Sequence, residues 1–351
     1  MFVYWFIYLF PFALTFFKQK KSLGSAIEWF IVAILFIVVI GFRDEIGCDW
    51  YNYLYHYDET VRLPFSEAFK EVKDPAHTFV NWLVGYYHGG IYGVNFVYAI
   101  IFVISLIKFV RLQLEPWLAF SVAVPYMVIT VAMGYSRQGV ALGLFMLAIT
   151  QLQKKRFKSY IFWVFVAGLF HKSAIVLLPF GLFLSSSGIW VRLLILLPVL
   201  YGGWDLLLSQ KQDELWDTYV TAQMHSAGAK IRVIMNFVPA ILFFMYRDKW
   251  KRNFDDYPFW FWVSISAVLS LFIVSFATTA VDRISLYLIP LQLVVYSRLP
   301  FFLQHTLPYS FTKFMILFFY AIVLFVWLNF AHHASCWIPY QNILFNTGDY
   351  L

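Results

Sequence analysis

The sequence predicts an all-α, polytopic integral membrane protein that forms a single transmembrane domain over residues 1–351. Of these residues, 62% are hydrophobic, 22% are aromatic and only 13% are charged, as expected of a chain whose helices face lipid. Apolar segments follow one another almost end to end, which excludes a soluble globular domain. The 26 basic residues are spread over short loops, so the charge pattern is not that of a nucleic-acid-binding surface.

Apolar segments that can cross a bilayer, or nearly so, predict about 10–12 transmembrane helices. They occupy residues 2–17, 26–42, 91–110, 117–133, 138–152, 160–170, 173–184, 189–208, 231–246, 258–278, 284–297 and 314–330. The segments 160–170 and 173–184 are too short to cross alone at about 1.5 Å of rise per residue. We expect them to form a hairpin that enters the bilayer and returns, with His171 near its turn.

Basic residues predict the orientation of the helices, because loops rich in Lys and Arg stay in the cytoplasm. The clusters Lys154-Lys155-Arg156 and Arg247-Asp248-Lys249 lie on one side, which then carries a net charge of +11 against −4 outside. Two hydrophilic segments fall on the outer side. They are residues 43–90, with an interfacial helix, and residues 209–230. Cys48 and Cys336 also fall there, where a disulfide can form.

Arginines at the predicted outer ends of apolar helices are expected to bind an anion: Arg43, Arg137, Arg232 and Arg283. All but the first are expected to open a helix, and Ser136 and Asp282 to cap two of these helices. A cation at a helix N-terminus opposes the macrodipole unless an anion bridges the two. We therefore expect the three helix-opening arginines to line one cavity and, with Gln138, to bind phosphate. The alternative is that each guanidinium reaches lipid headgroups.

Candidates for a catalytic base are His171, which lies within apolar sequence, and three carboxylates at the start of the first outer segment: Asp44, Glu45 and Asp49. The histidine can accept a proton in a cavity, or it can be a hydrogen-bonded packing residue. The carboxylates can act as a base, hold Arg43, bind a divalent metal, or belong to a solvated loop. Aromatic rings beside them suit carbohydrate: Trp50, Tyr51 and Tyr53.

At these residues the chain resembles the EpsG-like branch of the Wzy-type polysaccharide polymerases. The elements that carry the resemblance follow the family's order over nearly the whole chain. They are the run from Arg43 to Tyr53, Ser136-Arg-Gln-Gly-Val-Ala141, Phe170-His-Lys-Ser-Ala174, Asp282-Arg283 with Tyr287, and Trp337-Ile-Pro-Tyr340. Cys48 departs from the family, where a small residue or Thr is more usual.

The resemblance implies a GT-C-type glycosyltransferase of the bacterial inner membrane, with its site facing the periplasm or the cell exterior. It would transfer a growing glycan from undecaprenyl diphosphate to the non-reducing end of another lipid-linked repeat unit of an O-antigen, capsule or exopolysaccharide. No metal or other cofactor is implied. The implied partners are these lipid-linked oligosaccharides, membrane lipid and a chain-length regulator. Tyr287 would join the glycan-binding aromatic residues.

Arginine chemistry agrees with this implication, because a permanently charged, bidentate guanidinium can stabilise a departing lipid diphosphate. Other functions stay open at this point. They are a GT-C transferase that uses a polyprenyl monophosphate sugar, an O-antigen ligase, and a flippase for lipid-linked oligosaccharides. A transporter is disfavoured, because the sequence has no paired inverted repeat and its charges gather at one rim.

Overall fold

The computed structural model describes residues 1–17, 25–70, 74–183, 228–276 and 278–345, with isolated positions between 188 and 201. The structure is 81% helical with almost no sheet, and some of the helices are apolar enough for membrane spans, as predicted for an all-α membrane protein. Most of the predicted span at 189–208 and of the outer segment at 209–230 lies outside the described residues.

The described residues up to Phe183 form nine α-helices with one short strand between them. The helices are α1 Phe2–Phe17, α2 Ala26–Gly41, α3 Trp50–Val61, α4 Phe65–Ala68, α5 Pro75–Tyr86, α6 Gly90–Val110, α7 Pro116–Ala123, α8 Ser136–Gln153 and α9 Phe157–Phe170. Strand β1 is Arg43–Asp44, a π-helix at Val124–Ala132 continues α7, and a 3₁₀ helix at Lys172–Phe183 follows α9. The predicted interfacial helix at 76–87 corresponds to α5.

The described remainder of the chain adds six α-helices and the partner of β1. These helices are α10 Ala229–Met245, α11 Arg247–Asn253, α12 Tyr257–Ile273, α13 Thr278–Leu286, α14 Pro290–Leu303 and α15 Tyr309–Phe330. A 3₁₀ helix at His332–Cys336 leads to β2, Gln341–Asn342, which pairs antiparallel with β1.

Within the described part of the chain, α6 and α15 are each long and apolar enough to cross a membrane. Two bent pairs pass the same test when each is taken as one span: α10 with α11, bent by 73°, and α13 with α14, bent by 51°. Six further apolar helices are shorter, at 10–17 residues. The membrane-spanning character is therefore confirmed, whereas the number of 10–12 crossings stays a prediction.

The two short segments around His171 form a hairpin, because the 3₁₀ helix folds back along α9; its entry into the bilayer stays a prediction. The hydroxyl of Tyr160 on α9 donates to the carbonyl of Leu177, 2.5 Å away. Gly181 lies against the rings of Tyr160 and Phe157, which brings the end of the 3₁₀ helix beside the start of α9. His171 lies at the turn between the two helices.

Buried ion pairs hold together the helix ends that the charge pattern assigned to the cytoplasm. The Arg298 guanidinium donates to both oxygens of Asp256, at 2.8 and 2.6 Å, and the Trp260 indole donates to the same carboxylate at 3.0 Å. Lys313 pairs with Glu115 at 2.9 Å. A buried charge costs several kcal/mol unless it is paired, so these contacts tie α12 to α14 and α7 to α15 at this end.

Candidate active site

The end of the molecule that the charge pattern assigned to the outer side is held together by a disulfide and by backbone hydrogen bonds. Cys48 and Cys336 form a disulfide with their Cα atoms 5.1 Å apart, a pairing that the sequence allowed but did not decide. Beside it, Arg43 of β1 pairs with Asn342 of β2. The first outer segment and the C-terminal segment are therefore one structural unit, although they are 288 residues apart in sequence.

This unit fixes the start of α8 by close backbone packing. A Cβ atom on Gly134 would lie 2.4 Å from the Trp337 ring, so only glycine fits there without a displacement. Gly47 has a φ of +101°, and a Cβ on it would lie 2.9 Å from the Cα of Gly134. The Trp337 indole in turn donates to the carbonyl of Ile129 at 2.9 Å. The two glycines therefore set where the first turn of α8, with its arginine, begins.

A cavity of about 190 Å³ lies at these outer helix ends and is bordered mainly by polar and charged side chains. Its lining residues are Asp49, Tyr53, Tyr135, Arg137, Gln138, His171, Arg232, Thr279, Asp282, Arg283 and Leu286. The three arginines that were expected to converge do so, although they lie on α8, α10 and α13. Asp49 comes from the first outer segment and His171 from the turn of the hairpin, so five separate parts of the chain meet here.

Carboxylates hold two of the arginines in place. The Nη1 atom of Arg137 is 2.7 Å from Asp74, and its guanidinium lies 5.5 Å from the centre of the Tyr53 ring. Arg232 makes a two-pronged ion pair with both oxygens of Asp282. Such pairs orient a planar guanidinium before any ligand arrives. The cavity therefore presents preorganised cations.

Gln138 connects two of the elements that carry arginines. Its Nε2 atom donates to the backbone carbonyl of Arg283 at 2.7 Å, and its side chain is buried. This bond ties the end of α13 to the first turn of α8. The amide thus helps to set the spacing between Arg137 and Arg283.

His171 is oriented by a short chain of hydrogen bonds. Its Nδ1 atom lies 2.7 Å from the hydroxyl of Ser173, which donates to the hydroxyl of Tyr287 at 3.2 Å. A serine hydroxyl has a single proton, so one that donates to Tyr287 must accept from Nδ1–H. The tautomer that results carries its unprotonated nitrogen at Nε2, as a proton acceptor requires.

A model of the EpsG family matches residues 26–342, which is nearly the whole chain and includes every residue of the cavity. The chain belongs to the EpsG family. EpsG-like proteins are Wzy-type polymerase-like, so this chain is a polysaccharide polymerase-like membrane protein. Neither a curated protein nor a solved structure matches it.

The helix boundaries around two arginines of this EpsG-family protein differ from those predicted. Arg283 lies in the last turn of α13 and does not open a helix, because the chain breaks before Pro290 starts α14. There the negative end of the helix dipole favours the cation. Asp282 pairs with Arg232 instead of capping. Ser136 is the first residue of α8, and its hydroxyl accepts a bond from Arg43 at 2.7 Å.

The prediction that Arg43 binds the diphosphate disagrees with its position. Its side chain is 2% exposed and does not line the cavity. Its guanidinium donates to the carbonyls of Met133 at 2.9 Å and Ile40 at 2.6 Å, and to the side chains of Asn95 and Ser136. The buried guanidinium therefore has a structural role, because its hydrogen bonds join α2, α6 and the start of α8.

Two of the predicted catalytic carboxylates, and three of the predicted glycan-binding rings, lie outside the lining of the cavity. Asp44 accepts a bond from Tyr92, and Glu45 one from Tyr51, each at 2.7 Å. Trp50 is buried, with its ring centre 5.8 Å from the Arg43 guanidinium. Tyr287 is buried behind Ser173. Asp49 and Tyr53 are the members of these two groups that reach the cavity.

Sequence reasoning missed three polar residues of the site: Asp74, Tyr135 and Thr279. The aspartate lies behind Arg137, and burial raises the pKa of its carboxyl even though the guanidinium acts in the opposite direction. The sequence signal that could have identified this aspartate is its position directly before Pro75, at the start of the predicted interfacial helix. In the part of the chain that the structure describes, no three His, Cys, Asp or Glu side chains are grouped to hold a metal ion.

Proposed function

We propose that this protein is an inner-membrane GT-C-type polysaccharide polymerase whose cavity faces the periplasm or cell exterior. It would transfer a growing glycan from undecaprenyl diphosphate to the non-reducing end of a second lipid-linked repeat unit. One observation carries the proposal. Three arginines from three helices surround the same small cavity as a histidine and an aspartate.

The reaction requires stabilisation of charge on the leaving group. The bond between the anomeric carbon of the donor glycan and the diphosphate oxygen breaks, and the oxygen keeps the electron pair. An acceptor hydroxyl forms the new bond to that carbon and gives up its proton. Arg137, Arg232 and Arg283 offer several donors to the diphosphate, and the ion pairs of Arg137 and Arg232 hold their guanidinium groups in position before the charge develops.

We propose His171 as the group that takes the proton of the acceptor hydroxyl. Its Nε2 atom is unprotonated when Ser173 accepts from Nδ1, and the ring borders the cavity. Asp49 borders the same cavity and is the second candidate. Tyr53, whose ring lies under Arg137, offers a surface for a sugar ring next to the diphosphate.

Purified protein supplied with undecaprenyl-diphosphate-linked repeat units should produce a ladder of longer lipid-linked glycans. A deletion strain should lose the polymer ladder but keep a glycan of one repeat unit attached to its final carrier. Loss of that single-unit band as well would indicate a ligase or a flippase. Activity that needs a polyprenyl monophosphate sugar and is abolished by chelators would indicate the other GT-C chemistry.

A further inference from the structure

A second, larger cavity adjoins the polar one and has a different chemical character. This apolar groove has a volume of about 580 Å³ and is bordered mainly by aliphatic and aromatic side chains of α10 and α15, with Ile231, Met235, Phe319 and Val326 among them. It shares Tyr135 and Arg232 with the polar cavity. The two cavities therefore lie side by side, and the shared arginine borders both.

The groove has the length of one membrane leaflet. Along α15 it extends from Phe319 to Phe330, which is roughly 16 Å at about 1.5 Å of rise per residue. The hydrocarbon core of a bilayer is about 30 Å thick. Phe330 lies at the end of α15 that leads to the disulfide-bonded outer segment, and the cationic end of the groove is at the same level.

The groove is also accessible from the side. Ile322 and Val326 are 46% and 48% exposed, although both border it. A hydrocarbon chain gains little by exchanging lipid for such a surface, because lipid tails are as apolar as leucine. The groove is therefore open to a lipid chain that enters sideways from the bilayer. A chain lying in it can stay among apolar groups while its charged head reaches the arginines.

We propose that the apolar groove holds the polyprenyl chain of the donor substrate, and not that of the acceptor; this inference rests on the proposed function. The carbon that reacts in the donor is bonded directly to the diphosphate, so the donor's lipid must begin at the catalytic cavity. In the acceptor, the hydroxyl that reacts is separated from its diphosphate by the repeat unit. A lipid groove that opens at Arg232 therefore matches the donor.

The test uses variants that fill the groove and substrates that can play only one role. Ile322→Trp and Val326→Trp add bulk inside the groove, whereas Met315→Trp adds it on the same helix at a position that is 47% exposed and does not border the groove. One donor has a blocked non-reducing end and carries either an undecaprenyl or a dimethylallyl chain. The acceptor carries a non-transferable phosphonate link on an undecaprenyl chain.

The groove variants should lower kcat/KM for the undecaprenyl donor by roughly 5- to 150-fold, which is the usual range for a large side chain forced into packed apolar space. They should leave the dimethylallyl donor and the KM of the acceptor as in Met315→Trp. An increase in the acceptor's KM with an unchanged donor would overturn the assignment, as would equal losses with both donors.

Binding of radiolabelled undecaprenyl diphosphate to the protein in nanodiscs gives a readout that does not depend on turnover. The groove variants should weaken binding of this ligand by a similar factor relative to Met315→Trp and leave dimethylallyl diphosphate unaffected. If the wild-type protein forms no product but shows this binding difference, the proposed function fails and the lipid site stands. If the variants bind both ligands as the control does, the lipid site fails by itself.

Discussion

Replacement of Arg137 by lysine tests whether the cavity needs the forked shape of a guanidinium or only a positive charge. In the structure, Nη1 of Arg137 donates a hydrogen bond to the Asp74 carboxylate at 2.7 Å, and the guanidinium lies over the Tyr53 ring. A lysine can pair with Asp74, but its ammonium is a point charge that cannot also present a planar fork to a diphosphate. We therefore expect the variant to fold and to polymerise poorly.

The size of the effect follows from the contacts that are lost. Loss of one charge-assisted hydrogen bond to the leaving diphosphate costs about 1.5–3 kcal/mol. This corresponds to a decrease in kcat of roughly 10- to 150-fold. The thermal midpoint should change little, because the ion pair with Asp74 is retained.

The assay compares initial rates of chain extension by purified protein at matched concentrations. Arg62→Lys is the control, because this arginine belongs to the first outer segment, is exposed and does not line the cavity. Arg137→Gln removes charge and fork together and should be at least as inactive as Arg137→Lys. Rates for Arg137→Lys within a few-fold of the control would show that a point charge suffices and would refute the argument from geometry.

Further substitutions at four positions test other parts of the structure. His171→Gln and His171→Asn should each lower turnover by about 10²–10⁴-fold with little change in thermal midpoint, and retained turnover in either would move the base to another group. Asp256→Asn leaves the buried Arg298 cation without its carboxylate, so we expect a loss of about 3–5 kcal/mol of stability; an unchanged thermal midpoint would contradict this. Gly134→Ala should destabilise by about 1–3 kcal/mol, and the smaller ring of Trp337→Phe should relieve that loss when the two are combined.

The sequence was sufficient to predict that distant arginines meet, because a membrane restricts where charged helix ends can lie. Once the Lys and Arg clusters define one side, Arg137 and Arg283 must both lie near the opposite surface. His171 could be placed there by similar reasoning, since a turn between two short apolar segments must face protein or water. These predictions depended only on the depth of each residue in the bilayer. They did not require knowledge of which side chains surround it.

Predictions that depended on the direction of a side chain were less successful. Arg43 lies at the expected level, yet it points into the protein, where carbonyls of Met133 and Ile40 accept its bonds. Those acceptors are backbone atoms, and backbone atoms leave no mark in the sequence. Asp74 was missed for a related reason, because its partner on α8 is 63 residues away.

The disulfide between Cys48 and Cys336 also bears on how the protein is made. Chains leave the ribosome N-terminus first, so the 288 residues between the two cysteines require about 15–60 s of synthesis at roughly 5–20 residues per second. During that time the first outer segment has neither the disulfide to Cys336 nor the packing of Trp337 against Gly134. The start of α8, and Arg137 with it, therefore reaches its final packing only after the C-terminal segment has been made.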